Sequence, residues 1–495
     1  METRKLKIIF ILALLLSFLL GYQVQTFFKN NEVSEPNNLY QEITSTLENY
    51  YLYDIDDQEK QQAFIDQIQA VVDSYALSNE DPYTRLTTYH KDYVSQDQEQ
   101  YVGLGLTVVF EQDFFRIIDI DINGPSYQKL YPNDLIIGIH QNENDILFKD
   151  LNQLQAQAYL AGNELETKTF IIKNPEDIKS YVDLTYQTIL TPTAEGKIID
   201  QNTAYIKINK FSSYIKDVTE GTAKVFNDTL NAFEATVLND SQKTLIIDLR
   251  DNPGGALTAL HNSNNPKLIP GILQQLLKKD MNLPLFSMVD YQNNQTNYYG
   301  NLSYEKPYDI KILINENSAS ASEVFAAALN TYGYELYGKP SYGKDVYQNT
   351  AYLATIDDYS YYLTYTEGHW YYQDGLSVKD QPLDVNEIDQ MGYYNIKNMI
   401  FEKEVNYDEV SSTLTSYQQF LNTYFDLTGV DKIREDGYFD QKTLDYLNMY
   451  QRENDLEVTN KLDIITAHFI YDQLLVFQND DQNDWQLQSL LDMIE

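Results

Sequence analysis

The stretch "DIKILINENSASASEVFAAALN", residues 309–330, decides how this chain is read. "IKILIN" is a continuous apolar run bounded by polar residues, as in a buried strand, and "SEVFAAAL" has the composition of a helix. Ser320 therefore falls where strand gives way to helix, a place where a side chain can stand beside unpaired backbone N–H groups. Ser320-Ala-Ser-Glu323 also fits a capping box, and on this stretch alone capping is the stronger reading. A serine hydroxyl is a weak nucleophile that needs a base within hydrogen-bond reach. The chain has 5 histidines, of which only His261 lies in the same region near another candidate motif.

A lysine can serve as the base when burial favours its neutral amine. "GKPSYGKDVYQ", residues 338–348, offers Lys344 after Gly343, although a lone loop lysine is ordinarily a solvated charge. The same stretch fits G-x-x-x-x-G-K, but Asp345 stands where a phosphate loop needs Ser or Thr. "TLIIDLRDNPGGAL", residues 244–257, ends a buried strand and presents glycines that let backbone approach a substrate. Acyl transfer also needs N–H donors aimed at a developing oxyanion, which such a loop can supply. A plain P-G-G turn is the alternative.

Working outward, strands and helices alternate from about 200 to 390, in "TAYIKI", "TLIIDL" and "DIKILI", which predicts an α/β region. From about 98 to 190 the runs "LGLTVVF", "FFRIIDIDI", "DLIIGIH", "KTFIIK" and "YVDLTYQ" predict a small β-rich module with one helix at 149–160. "DIDING" at 119–124 begins like a calcium loop, but its twelfth position is Leu130, so a strand is expected. Residues 58–77 have helical apolar spacing, and beyond about 405 the pattern is again helical and polar.

Composition narrows the function classes. The 495 residues carry 74 acidic against 35 basic side chains, a net charge of −39 that disfavours nucleic-acid partners. With 43% apolar residues the chain can bury a sizeable core, and with no cysteine it has no disulfide or thiolate site. Arg4, Lys5 and Lys7 precede an apolar stretch from Ile8 to Tyr22, extended by Val24, Phe27 and Phe28. No small-residue cleavage site follows, which predicts an uncleaved single-pass plasma-membrane anchor with the bulk of the chain outside the cytoplasm.

"DLRDNPGG", "SASASEVFAAAL" and "GKPSYGKDVYQ", in that order, resemble the signature blocks of the carboxy-terminal processing peptidases, the tail-specific serine–lysine proteases. "EDPYTRL" at 80–86, "AYIKINKFS" at 204–212 and "DGLSVKDQPLDV" at 374–385 agree, so the resemblance spans most of 40–390. It implies Ser320 as nucleophile, Lys344 as general base and Gln348 as the residue orienting the lysine amine. It further implies an oxyanion hole from Ala321 N–H and a glycine N–H of Gly254-Gly255. The interval from Ser320 to Lys344 is one residue shorter than the family's usual gap, and "GYELYGKP" absorbs the shortening.

"YVGLGLTV" resembles the loop with which PDZ domains hold a peptide's C-terminal carboxylate, so Gly103, Leu104, Gly105 and Leu106 are the implied peptide-binding residues. Asn133 stands where that module usually has glycine. "DGYFDQKTLDYLNMYQRENDLEV" resembles a peptidoglycan-binding-like helical module, with Asp440 in place of a second glycine and Tyr450 in place of phenylalanine.

The expected architecture is an α/β protease core with a β-rich PDZ domain, an N-terminal transmembrane helix and a C-terminal all-α domain. Its segments are 1–35 anchor and linker, 36–97 helical region, 98–190 PDZ domain, 191–400 protease core and 401–495 peptidoglycan-binding-like domain. The expected enzyme is an extracytoplasmic serine endopeptidase that needs no metal or cofactor and acts on proteins with free C-termini. Cell-wall contact and homo-oligomers are compatible partners. A catalytically silent PDZ scaffold at the cell surface is the alternative, and a wall hydrolase lacks a convincing metal-ligand or paired-carboxylate site.

Overall fold

The computed structural model describes residues 57–90, 99–151, 153–215, 219–263, 269–356, 359–373 and 375–494. The predicted anchor, 1–35, lies outside them, as does much of 36–97. No helix among the described residues is long and apolar enough to cross a membrane. The chain divides into two units, Met1–Leu86 and Thr87–Glu495. In the first, the predicted helix runs over Asp57–Ser78 (α1) and ends where Asp81 N–H reaches the Ala76 carbonyl.

The second unit begins with the β-rich module. Its strands are β1 (Gln100–Gly103), β2 (Leu106–Glu111), β3 (Phe114–Ile120), β4 (Leu135–Gln141) and β5 (Asn144–Leu147). After α2 (Gln153–Leu160) come β6 (Thr167–Lys173), β7 (Lys179–Thr185) and β8 (Gln187–Leu190). The helix expected at 149–160 is broken: Phe148–Asp150 form a single tight turn, Leu151 is extended, and α2 starts afresh. The sheet order is β2-β3-β4-β6-β7, with β5 beside β4, and β1 pairs with β8 in a separate ladder. Alternation on β3 and β6 sends Phe115, Ile117, Phe170 and Ile172 into one core, and a register irregularity between Ile136 and Gly138 lets β4 add both Ile136 and Ile139. Among the described residues β2 is an edge strand, paired on one side only.

The α/β core follows: β9 (Ala194–Ile198), β10 (Thr203–Ile208), α3 (Thr222–Glu234), β11 (Thr244–Asp248), β12 (Phe286–Asp290), β13 (Gln295–Tyr298) and β14 (Asp309–Ile314). It continues through α4 (Ala321–Thr331), β15 (Glu335–Gly338), β16 (Val346–Ile356), β17 (Tyr359–Tyr371) and β18 (Asn386–Glu387). Its central sheet has the order β9-β10-β11-β14-β15-β18, parallel except where β9 meets β10. Near-continuous apolar runs suit strands covered on both faces. One face sends Ile206, Ile247, Ile312 and Leu336 against Phe226 and Leu230 of α3 and Phe325 and Leu329 of α4. The other sends Tyr205, Ile246, Leu313 and Tyr337 into a separate cluster. β16 and β17 form a long antiparallel ribbon that joins the sheet of β12 and β13.

Helices α5 (Leu414–Tyr424), α6 (Gln441–Glu453) and α7 (Ile464–Gln478) enclose a core of Tyr417, Phe420, Leu447, Tyr450 and Ile470. Asp440 has a local reason: its carboxylate caps α6 by accepting from Thr443 N–H at 2.8 Å. The last helix, α8 (Trp485–Ile494), leaves this group and lays Leu487 and Leu490 on the second face of the central sheet. Tyr131 of the β-rich module stacks on His468 of α7 at 3.5 Å, and its hydroxyl donates to Asp472.

Candidate active site

Ser320 has φ 57° and ψ −117° at the N-terminus of α4. Positive φ strains a residue with a Cβ and costs on the order of 1–3 kcal/mol, so the surroundings must hold it. The flanking serines do so. Ser318 and Ser322 are both fully buried. Ser318 Oγ donates to the Leu249 carbonyl and Ser322 Oγ to the Asn252 carbonyl, each at 2.8 Å. Together with Ala319 N–H on the same Asn252 carbonyl, they pin the serine turn to the 249–255 loop. No side-chain cap hydrogen bond holds the Ser320 hydroxyl to the backbone of α4. Ser322→Ala is accordingly expected to lower stability by about 0.5–1.5 kcal/mol through the loss of one of the two hydrogen bonds on the Asn252 carbonyl, measurable by urea unfolding, with the Ser320 chemistry retained.

The capping box survives in half. Glu323 Oε2 accepts from Ser320 N–H at 2.8 Å, and the same oxygen accepts from Lys344 N–H at 2.9 Å. Its other oxygen takes Gly343 N–H at 2.5 Å and Ser341 Oγ at 2.8 Å. One fully buried carboxylate thus ties the serine turn to the lysine loop. Burial pushes its pKa up, while the four donors act in the opposite direction.

The Lys344 peptide is held from its other end by Trp370, whose indole N–H donates to the Lys344 carbonyl at 2.8 Å. The Lys344 ammonium or amine Nζ donates to Gln348 Oε1 at 2.6 Å, and Gln348 Nε2 to Thr366 Oγ1 at 3.3 Å. A shift of ladder register between Tyr347 and Gln348 breaks the simple alternation of β16 at this point. His261 is engaged elsewhere, with Tyr299 and Ser263. Asp345, the residue that spoils the phosphate-loop pattern, is buried and accepts from Ser377 Oγ at 2.9 Å.

The glycine loop abuts the nucleophile turn. Gly254 has φ 101°, and a Cβ there would lie 2.6 Å from the Ala319 carbonyl oxygen and 2.9 Å from Ala321 N. Its N–H is already bonded to Asn252 Oδ1 at 2.9 Å. The N–H groups of Gly255 and Ala321 have no acceptor among the described residues. The structure thus distinguishes two glycines that the sequence left equivalent.

In the β-rich module, Leu104 is buried, Gly105 has φ 69°, and the loop leads directly into the edge strand β2. The N–H groups of Leu104 and Gly105 have no acceptor among the described residues. Gly103 and Leu106 flank them at the ends of β1 and β2. Asn133 takes the positive φ, 78°, that glycine usually supplies, and its side-chain amide donates to the Phe401 carbonyl. "DIDING" forms the end of β3 and a turn closed by Asp121, and no metal-ligating group of side chains occurs among the described residues.

Sequence reasoning missed how Glu323, Trp370, Ser318 and Ser322 bind these segments together. The S-x-x-E spacing was the available signal for Glu323.

Residues 202–386, which lie within the α/β core, match the family model described as Peptidase family S41. The wider chain is similar to carboxy-terminal processing proteases. It is 25% identical over 412 residues to the carboxy-terminal processing protease CtpB of Bacillus subtilis (strain 168), covering 81% of this chain and 78% of that one. A CtpA-like serine protease of Staphylococcus aureus (strain N315) is 26% identical over 446 residues, 88% of this chain and 82% of the relative. Among solved structures, the photosystem II D1 C-terminal processing protease aligns with a TM-score of 0.40 at 16% identity, over 70% of this chain and 86% of that one.

Proposed function

We propose that this protein is a membrane-anchored extracytoplasmic serine endopeptidase that engages protein C-termini through residues 98–190, acting as a PDZ domain, and cleaves by a Ser320–Lys344 mechanism. The observation that carries the reading is the single Glu323 oxygen shared by the N–H groups of Ser320 and Lys344. It unites nucleophile and base segments within the residues that match a peptidase family model.

In this mechanism the neutral Lys344 amine, oriented by Gln348, takes the Ser320 proton as Oγ attacks the scissile carbonyl carbon. Gly255 and Ala321 N–H receive the oxyanion. The C–N bond then breaks, the leaving amine takes the proton from Lys344, and water deacylates the serine ester with Lys344 again as base. No metal or cofactor is required by these steps. Gly254 serves by its small size, letting the loop lie against the serine turn.

The free N–H groups of Leu104 and Gly105 suit a peptide carboxylate, and the unpaired side of β2 suits an added peptide strand. The helical module is assigned a bracing role, since α7 holds Tyr131 of the PDZ domain and α8 covers the protease sheet.

The test is hydrolysis of an unfolded protein with a free or an amidated C-terminus, with Ser320→Ala as reference. Wild type is expected to cleave, Ser320→Ala not to, and amidation to lower kcat/KM by about 10- to 100-fold, the worth of charge-assisted hydrogen bonds. Undiminished cleavage by Ser320→Ala would overturn the catalytic assignment, and equal rates on both substrates would overturn tail recognition. Binding without cleavage by wild type would establish the scaffold.

A further inference from the structure

Arg250 stands at the end of β11, just before the glycine loop, with its guanidinium buried between two carboxylates from distant parts of the chain. Its Nε donates to Asp248 Oδ1 at 3.0 Å and its Nη2 to Asp248 Oδ2 at 2.6 Å. From the opposite side, Asp484 accepts Nη1 at 2.9 Å and Nη2 at 2.6 Å, and Gln486 Oε1 accepts Nη1 at 3.1 Å.

Asp484 and Gln486 open α8 and are themselves fixed. Gln390 Nε2 donates to Asp484 Oδ1 at 2.9 Å, and Gln486 Nε2 to the Ile388 carbonyl at 2.7 Å. Neutralising one buried guanidinium takes one carboxylate, and Asp248 already provides it. A second buried carboxylate adds a desolvation cost, so it is weak evidence for stability and better evidence for geometry.

That geometry leads to the reacting groups. Residues on both sides of Arg250, Leu249 and Asn252, carry the carbonyls that hold Ser318 and Ser322, and Asn252 Oδ1 sets Gly254 N–H. We propose that Asp484, assisted by Gln486, is a positioning residue of the active site: from the last helix it clamps Arg250, and Arg250 sets the 252–255 loop against Ser320. The catalytic part of this proposal rests on the oxyanion role given to Gly255.

The experiment uses the full-length chain and Asp484→Asn, which keeps the side-chain shape while removing the charge and one acceptor. Gln486→Ala, which removes an uncharged acceptor of Arg250 and the bond to the Ile388 carbonyl while leaving Asp484 in place, is the milder second variant. Hydrogen exchange in a peptide spanning 249–256 is expected to quicken in Asp484→Asn, with the interior of α4 still protected. kcat is expected to fall about 10- to 100-fold, the scale of loss when a remote change misplaces reacting groups, with KM within about twofold. A peptide boronate, which mimics the tetrahedral adduct on serine, is expected to weaken by the same factor. Peptide binding in the Ser320→Ala background should not change. Gln486→Ala should show the same pattern at about 3- to 10-fold.

Unchanged exchange at 249–256, or a loss confined to KM, would overturn the proposal. If wild type itself showed no Ser320-dependent cleavage while exchange at 249–256 still rose in Asp484→Asn, the clamp would stand and the peptidase reading would fall.

Discussion

Ser320→Ala and Lys344→Ala are each expected to lower kcat by roughly 10⁴-fold or more, and the double variant no further than either alone. The reason is that neither group acts without the other: the hydroxyl has no alternative base among its described neighbours, and the lysine amine has no other task in the cycle. The Ser320 hydroxyl makes no side-chain cap bond to the described helix α4, so its loss is expected to have little structural consequence. Lys344→Ala leaves the backbone bonds of residue 344 to Glu323 and Trp370 intact, because both use peptide atoms. Initial rates on a fluorogenic peptide, together with a near-native Tm, provide the check. Additive losses in the double variant would show that the two residues do not work as one unit.

The second large effect is expected at Glu323. Glu323→Gln replaces one acceptor oxygen by an NH₂ group that must face N–H or O–H donors, since all four partners of the carboxylate donate. Leaving at least one buried donor unpaired costs on the order of 1–3 kcal/mol, to be read from urea unfolding. The rate should suffer more than the stability. Whichever oxygen is lost, either the lysine loop detaches or the shared tie between Ser320 and Lys344 breaks, and kcat is expected to fall about 10²-fold. Wild-type kcat in a folded Glu323→Gln protein would show that the carboxylate only caps α4.

The sequence was most readable where local chemistry and the long-range fold agree. The apolar runs at 203–208, 244–248 and 309–314 became parallel strands, and Ser320 lies at the strand-to-helix turn that the composition change at 320 indicated. The capping pattern at Ser320 and Glu323 was visible, but its second function was not, because the other partners of Glu323 lie in a loop that only folding brings near. Gly254 and Gly255 look alike in sequence, and a bond from Asn252 separates them. The helix expected at 149–160 overran its start because Leu151 adopts an extended conformation set by its surroundings. The destination of 485–494 was equally hidden. Its apolar spacing fits any helix, and nothing local says that Leu487 and Leu490 belong to the peptidase sheet instead of the neighbouring helices.

That placement of the last helix bears on how the enzyme is born. A nascent chain halted before residue 485 exposes Tyr205, Ile246, Leu313 and Tyr337 to water and leaves Arg250 with one of its two carboxylate partners. The second face of the central sheet is therefore covered only once residues 485–494 have been made, and a copy released earlier lacks the Asp484 partner of Arg250.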